Sequence, residues 1–146
     1  RNDGPDWYIY QQSTFAPDVH SRWMASMAMD GDGNIALGYS VSSDEIYPSI
    51  RVTGRNLNDP ANQMTFQETS IIEGQGFQHT NQRWGDYSTM SVDPVDDQTF
   101  WYTQEYIMVT GSLAWQTRVA SFQLNKNFSL SSDSLVFMTY EECDEG

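Results

Sequence analysis

The sequence predicts an all-β fold that is β-propeller-like, with about two four-stranded antiparallel blades plus an extra strand. Three observations lead there. β-branched and aromatic residues are plentiful while strong helix formers are sparse. No segment longer than a turn carries helical periodicity. And a unit of roughly 60 residues occurs twice, the signature of a repeat architecture.

The repeat is visible at three places. Arg22-Trp23 returns as Arg83-Trp84 at an offset of 61. Ser26-Met27-Ala28-Met29-Asp30 returns as Thr89-Met90-Ser91-Val92-Asp93 at an offset of 63. Ile50-Arg51-Val52 returns as Thr117-Arg118-Val119 at an offset of 67. A slowly growing offset is what small loop insertions in one plan produce.

In chain order, the first unit (about 7–56) reads as strands near 7–15, 23–30, 34–43 and 48–55. Asp30-Gly31-Asp32-Gly33-Asn34 supplies a tight hairpin between the second and third, since Gly and Asn tolerate positive φ. The second unit (about 64–125) reads as strands near 64–73, 86–93, 98–107 and 114–124. There Asp93-Pro94-Val95-Asp96-Asp97 makes the matching turn. Leu135–Tyr140 reads as a third copy of the leading strand, and residues 141–146 as a solvated acidic tail. A β-sandwich of eight or nine strands is the alternative that this length allows.

The chain of 146 residues suits a single all-β segment over 1–146. Lys and Arg number 7 against 20 Asp and Glu, a net charge of −13. Phosphate backbones and anionic membranes are recognised through Lys and Arg, so neither nucleic acid nor a membrane surface is an expected partner. No apolar run is long enough to insert as a spanning helix. Aromatics make up 14% of the chain, which disordered acidic chains lack. The single Cys143 has no intramolecular partner. Asn127-Phe128-Ser129 is an N-glycosylation sequon. No signal peptide is visible at Arg1, so a secreted form is expected to be a processed or excised piece. Because propellers close with roughly four or more blades, the expected partners are other blades of a longer precursor or further copies of the chain.

Arg83 through Pro94, Thr99 through Tyr106 and Met29 through Ser40 together resemble the repeats of sialidase-like, or BNR-repeat, β-propellers in large secreted bacterial proteins. That family's Asp-box runs Ser-x-Asp-x-Gly-x-Thr-Trp. Ser91-Val92-Asp93 and Thr99-Phe100-Trp101 match its ends, while Pro94 through Gln98 replaces its centre. In the first unit Ala28-Met29-Asp30 and Gly33 match it without a Trp. The resemblance implies a secreted or cell-surface location. It also implies that the boxes act as hairpin devices and not as catalytic groups.

Sialidases bind the substrate carboxylate with three arginines. Here Arg22 and Arg83, and Arg51 and Arg118, fall at repeated places, which points to structure. No catalytic residue is assigned. The informative place is where the units differ: Gly85-Asp86-Tyr87-Ser88-Thr89 is longer than its counterpart before Met27. Loops at one end of a scaffold are where binding groups gather. Arg83, Trp84, Asp86, Tyr87, Trp101 and Glu105 then form an aromatic and carboxylate cluster suited to sugar rings, which offer C–H faces and hydroxyl edges. Asp30, Asp32 and Asn34 stand at positions 1, 3 and 5 of a calcium loop, and calcium is the cofactor that this spacing allows. The EF-hand Gly and Glu are absent, with Ile35 and Val41 in their places. The expected function is a secreted, non-catalytic structural or glycan-binding module. The alternatives are a subunit of an extracellular filament or ring built through open strand edges, and part of a glycoside hydrolase whose other blades lie elsewhere.

Overall fold

A computed structural model describes residues 4–124. The expected Leu135–Tyr140 strand, the acidic tail, Cys143 and the Asn127 sequon lie outside the described residues. Seven strands form two antiparallel sheets, and no helix occurs among the described residues. The first sheet has the order β1 (Ser21–Met29), β2 (Ile35–Ser42), β3 (Ser49–Arg55) and β4 (Thr69–Ile72). The second has the order β5 (Thr89–Val92), β6 (Phe100–Ile107) and β7 (Trp115–Phe122). Among the described residues the fold is all-β with antiparallel sheets, and neither sheet closes on itself.

Two details differ from the sequence expectation. Residues 7–16, expected to hold the first strand, form no strand. And β4, expected to open the second unit, pairs with β3 and completes the first sheet.

The hairpins form where the turn chemistry puts them. Asp30 closes the β1–β2 turn: its Oδ1 accepts from Asn34 N at 2.8 Å and its Oδ2 from Asn34 Nδ2 at 2.8 Å. Gly33 takes a φ of 83° there, a conformation that costs glycine nothing. Asp93 closes the β5–β6 turn by accepting from Val95 N and from Trp101 Nε1 at 3.0 Å. Asp96 accepts from the Thr99 hydroxyl and from Gln98 N and Thr99 N, which together hold its carboxyl down to about 2. The two turns also meet, through Gly31 N and Asp97 O at 2.8 Å.

The strand registers run in step. Met27 pairs with Leu37 as Met90 pairs with Tyr102, and Met29 with Ile35 as Val92 with Phe100. Tyr39 pairs with Arg51 as Gln104 with Arg118. Matched positions therefore sit at constant offsets of 63, 65 and 67 along the three strands.

These matches reveal how the sheets stack. Period-two alternation sends Ala36, Gly38, Ile50 and Val52 of the first sheet toward the second. From the second sheet, Met90, Phe100, Tyr102, Ala120 and Phe122 face back, and these residues form one core. But Met90, Phe100 and Tyr102 match Met27, Ile35 and Leu37, which lie on the far face of the first sheet. Met27 is 60% exposed and Met90 6%. Equivalent faces thus point the same way, as in a stack. In a sandwich related by a two-fold axis, equivalent faces meet. The junction depends on small residues. A Cβ on Gly38 would lie 2.4 Å from the Tyr102 ring, and one on Gly54 would lie 2.7 Å from Leu124.

Candidate functional site

The sequence cluster falls at the end of the second sheet where the chain enters β5. The loop before β5 must pass the bulge in β1 between Trp23 and Ser26, where Met24 takes a φ of 49°. Gly85, at a φ of 63°, makes the close approach: its Cβ position is 3.2 Å from that of Met24. Gln104 fixes the same contact by donating from Nε2 to Met24 O at 3.0 Å. The passage lets Trp84 reach across to the first sheet. Its Nε1 donates to Ser40 Oγ at 3.0 Å, and its ring lies 5.2 Å from that of Trp23.

Beside this anchor lies an open cavity of about 400 Å³. Five of the six expected ligand residues line it: Arg83, Trp84, Asp86, Tyr87 and Glu105. Asn81, Leu113 and Trp115 complete the wall. Trp115 and Leu113 carry no mark of their own in the sequence, but Trp115 pairs with Ile107 two residues beyond Glu105, which brings it to the same end of the sheet. Tyr87 is 83% exposed. Glu105 Oε2 accepts from Gly85 N at 2.8 Å, which pins the loop to β6. Arg83 donates from Nε to Asp86 Oδ2 at 2.9 Å, and the carboxylate raises the guanidinium above its ordinary range. The cavity therefore combines three indole or phenol rings with one cation and two carboxylates.

Trp101 is not brought to this place. Its indole is spent on Asp93 at the opposite end of β6. Tyr102 and Tyr106 are buried in the core, and burial pushes the Tyr102 phenol well above its ordinary range. Arg22 and Arg83, matched in sequence, sit in different surroundings. Arg83 lies in the exposed loop, while Arg22 lies within β1 and is nearly buried. Asp30, Asp32 and Asn34 lie at the β1–β2 turn. Both Asp30 oxygens bond Asn34, Asp32 accepts from Gln98, and Asn34 Oδ1 accepts from Leu57 N. No group of three or more His, Cys, Asp or Glu side chains is placed to hold a metal among the described residues.

A second polar cluster escaped sequence reading. On the far face of the first sheet, Glu68 Oε2 accepts from Arg22 Nε at 2.6 Å and from the Tyr39 hydroxyl at 2.6 Å. Its Oε1 accepts from Arg51 Nη1 at 2.7 Å and from Arg22 Nη2 at 3.0 Å. Arg22 also binds Asp18, and Arg51 binds Glu73. Burial pushes the Glu68 carboxyl up, but the hydrogen bonds from Arg22, Tyr39 and Arg51 outweigh it and leave it below its ordinary value. Tyr39 moves the other way: burial, then its bond to Glu68, drives the phenol far up. Every charge in the cluster has an opposite partner. It ties β1, β2 and β3 to the segment that enters β4, which is a structural task. Glu68 lies 17 to 46 residues along the chain from Arg51, Tyr39 and Arg22, so no spacing rule exposes the network.

No protein family, curated protein or solved structure matches this chain.

Proposed function

We propose that the chain is a non-catalytic, carbohydrate-binding module built from consecutive blade-like sheets of a sialidase-like propeller, working outside the cell or at its surface. One observation carries the binding part: Trp84, Tyr87 and Trp115 line one open cavity together with Arg83, Asp86 and Glu105. Rings take the C–H faces of a sugar, while carboxylates and a guanidinium take its hydroxyl edges. Arg83 and Asp86 already hold each other, so the polar wall is set before a ligand arrives. The same-facing stack of the two sheets supports the blade reading. So does the pinning of both hairpins by Asp30 and Asp93, the aspartates that the family's repeats place at that turn.

The test is an array of neutral and acidic oligosaccharides, followed by calorimetry on any hit. Losing one stacked ring costs about 1 kcal/mol beyond its area, so Tyr87→Ala is expected to weaken binding roughly tenfold while leaving the fold intact. A folded protein that binds no oligosaccharide on the array defeats the proposal.

A further inference from the structure

Three arginines of the first sheet share its far face, and one of them lacks an opposite charge. Arg22 is bonded to Asp18 and Glu68, and Arg51 to Glu68 and Glu73. Arg55 pairs with Ile35 on the same face and is only 6% exposed. Yet among the described residues no carboxylate lies within ion-pairing distance of it. Its acceptors are all neutral: Nε donates to Asn56 O, Nη2 to Leu57 O and Asp59 O, and Nη1 to Gln11 Oε1. A guanidinium carries five N–H donors, so one hydrogen on Nη1 is left without an acceptor. Asp59 feels the Arg55 charge from further off, but its carboxylate turns to Asn56 N and the Thr65 hydroxyl. Arginine is almost never this buried without an opposite charge beside it.

The uncompensated group sits where two cavities meet. Residues 11–15 and 62–64 lie over this face of the sheet, and Gln12 N joins the two segments by donating to Asn62 Oδ1 at 2.8 Å. Beneath them is a cavity of about 340 Å³ with apolar walls from Phe15, Met27, Leu37 and Met64. A second, of about 580 Å³, adjoins it with walls from Ile9, Met29 and Leu57. Gln11, Ile35 and Arg55 line both. Small-molecule sites have this size and character: mostly apolar, with a few polar groups that orient the ligand.

We propose that the covered far face of the first sheet is a second binding site, and that it takes a carboxylate with an apolar body, such as a medium-chain fatty acid. The carboxylate accepts the remaining Nη1 hydrogen and supplies the charge that Arg55 lacks. The alkyl chain fills the cavity between the sheet and its cover. A net charge of −13 repels bare anions, so burial of the alkyl chain supplies the affinity and Arg55 the selectivity. The site shares no residue with the cavity at Arg83 and stands apart from carbohydrate binding.

Sodium octanoate titrated into the full chain tests it, with the methionine methyl resonances as readout. Met27 and Met64 should shift to saturation, while Met90, buried between the sheets, should not. 1-Octanol has the chain without the charge and should bind roughly tenfold more weakly. Acetate has the charge without the chain and should leave the spectrum unchanged. Arg55→Met should bring octanoate down to the level of octanol. Because Arg55 also holds the turn at 56–59, Met27→Glu tests the site a second way. At a position 60% exposed, it places a carboxylate in the cavity and should abolish octanoate binding while circular dichroism stays unchanged. Octanoate that shifts neither methyl, or that binds no tighter than octanol, overturns the proposal. So does a folded Arg55→Met or Met27→Glu chain that binds octanoate as the wild type does.

Discussion

Replacing Glu68 with Gln keeps the side chain's shape and removes its charge. The structure sets the size of the effect. Glu68 is the only described carboxylate that touches Arg22, Arg51 and Tyr39 together, and its side chain is only 12% exposed. Breaking a buried ion pair by removing one partner costs about 3 to 5 kcal/mol. Here Arg22 keeps Asp18 and Arg51 keeps Glu73, so neither cation is stranded. The lower end, about 3 kcal/mol, is therefore expected. For a domain of this size that is a fall of roughly 10 °C in the melting midpoint. Calorimetry on the wild type, Glu68→Gln, Tyr39→Phe and the double variant closes a cycle. Tyr39→Phe should cost less in the Glu68→Gln background, because its hydroxyl has then lost a charged acceptor. A melting midpoint for Glu68→Gln within about 2 °C of wild type would refute the claim that this cluster holds β4 to the sheet.

Three further outcomes follow from other parts of the structure. Gly38→Ala pushes a methyl group into the Tyr102 ring and should cost about 1 to 3 kcal/mol in urea unfolding, and Tyr102→Leu in the same chain should recover part of it. Stability should fall at both ends of the pH scale. Glu68 has a lowered folded value, so its contribution is present above its ordinary value of 4.5 and disappears as acid takes pH down through the folded value; Tyr39 and Tyr102 have raised ones, so theirs is full below pH 10 and disappears as pH climbs toward the folded values. Calcium should leave the melting curve unchanged against a chelator control, since Asn34 already occupies both Asp30 oxygens; a calcium-dependent rise would show that the turn opens to the ion.

The strands near Met27, Leu37, Val52, Tyr102 and Val119 were legible because alternation and turn chemistry agree there. Residues 7–15 show the limit of that reasoning. Tyr8-Ile9-Tyr10 has strong strand propensity, but propensity describes a residue's fit to a sheet surface and does not by itself make a strand. β4 shows another limit. Similarity between two segments says that both suit a strand, not which neighbour takes it. The site was legible as a group of residue types and less so as a place. Trp101 and Glu105 share a face of β6, but four residues of strand span about 13 Å, so the Trp101 indole serves the hairpin and not the cavity. Glu68 was out of reach, because a charge network closed across three strands leaves no local pattern.

The same-facing stack is the central claim, and nuclear Overhauser contacts between methionine methyl groups and assigned ring protons test it most directly. At low concentration, Met90 should show contacts with the first sheet, and Tyr102 with the Gly38 α-protons, while Met27 shows none with the second sheet. Contacts from Met27 to Phe100 or Tyr102 within a monomer would mean that like faces meet, and would contradict the stacked arrangement.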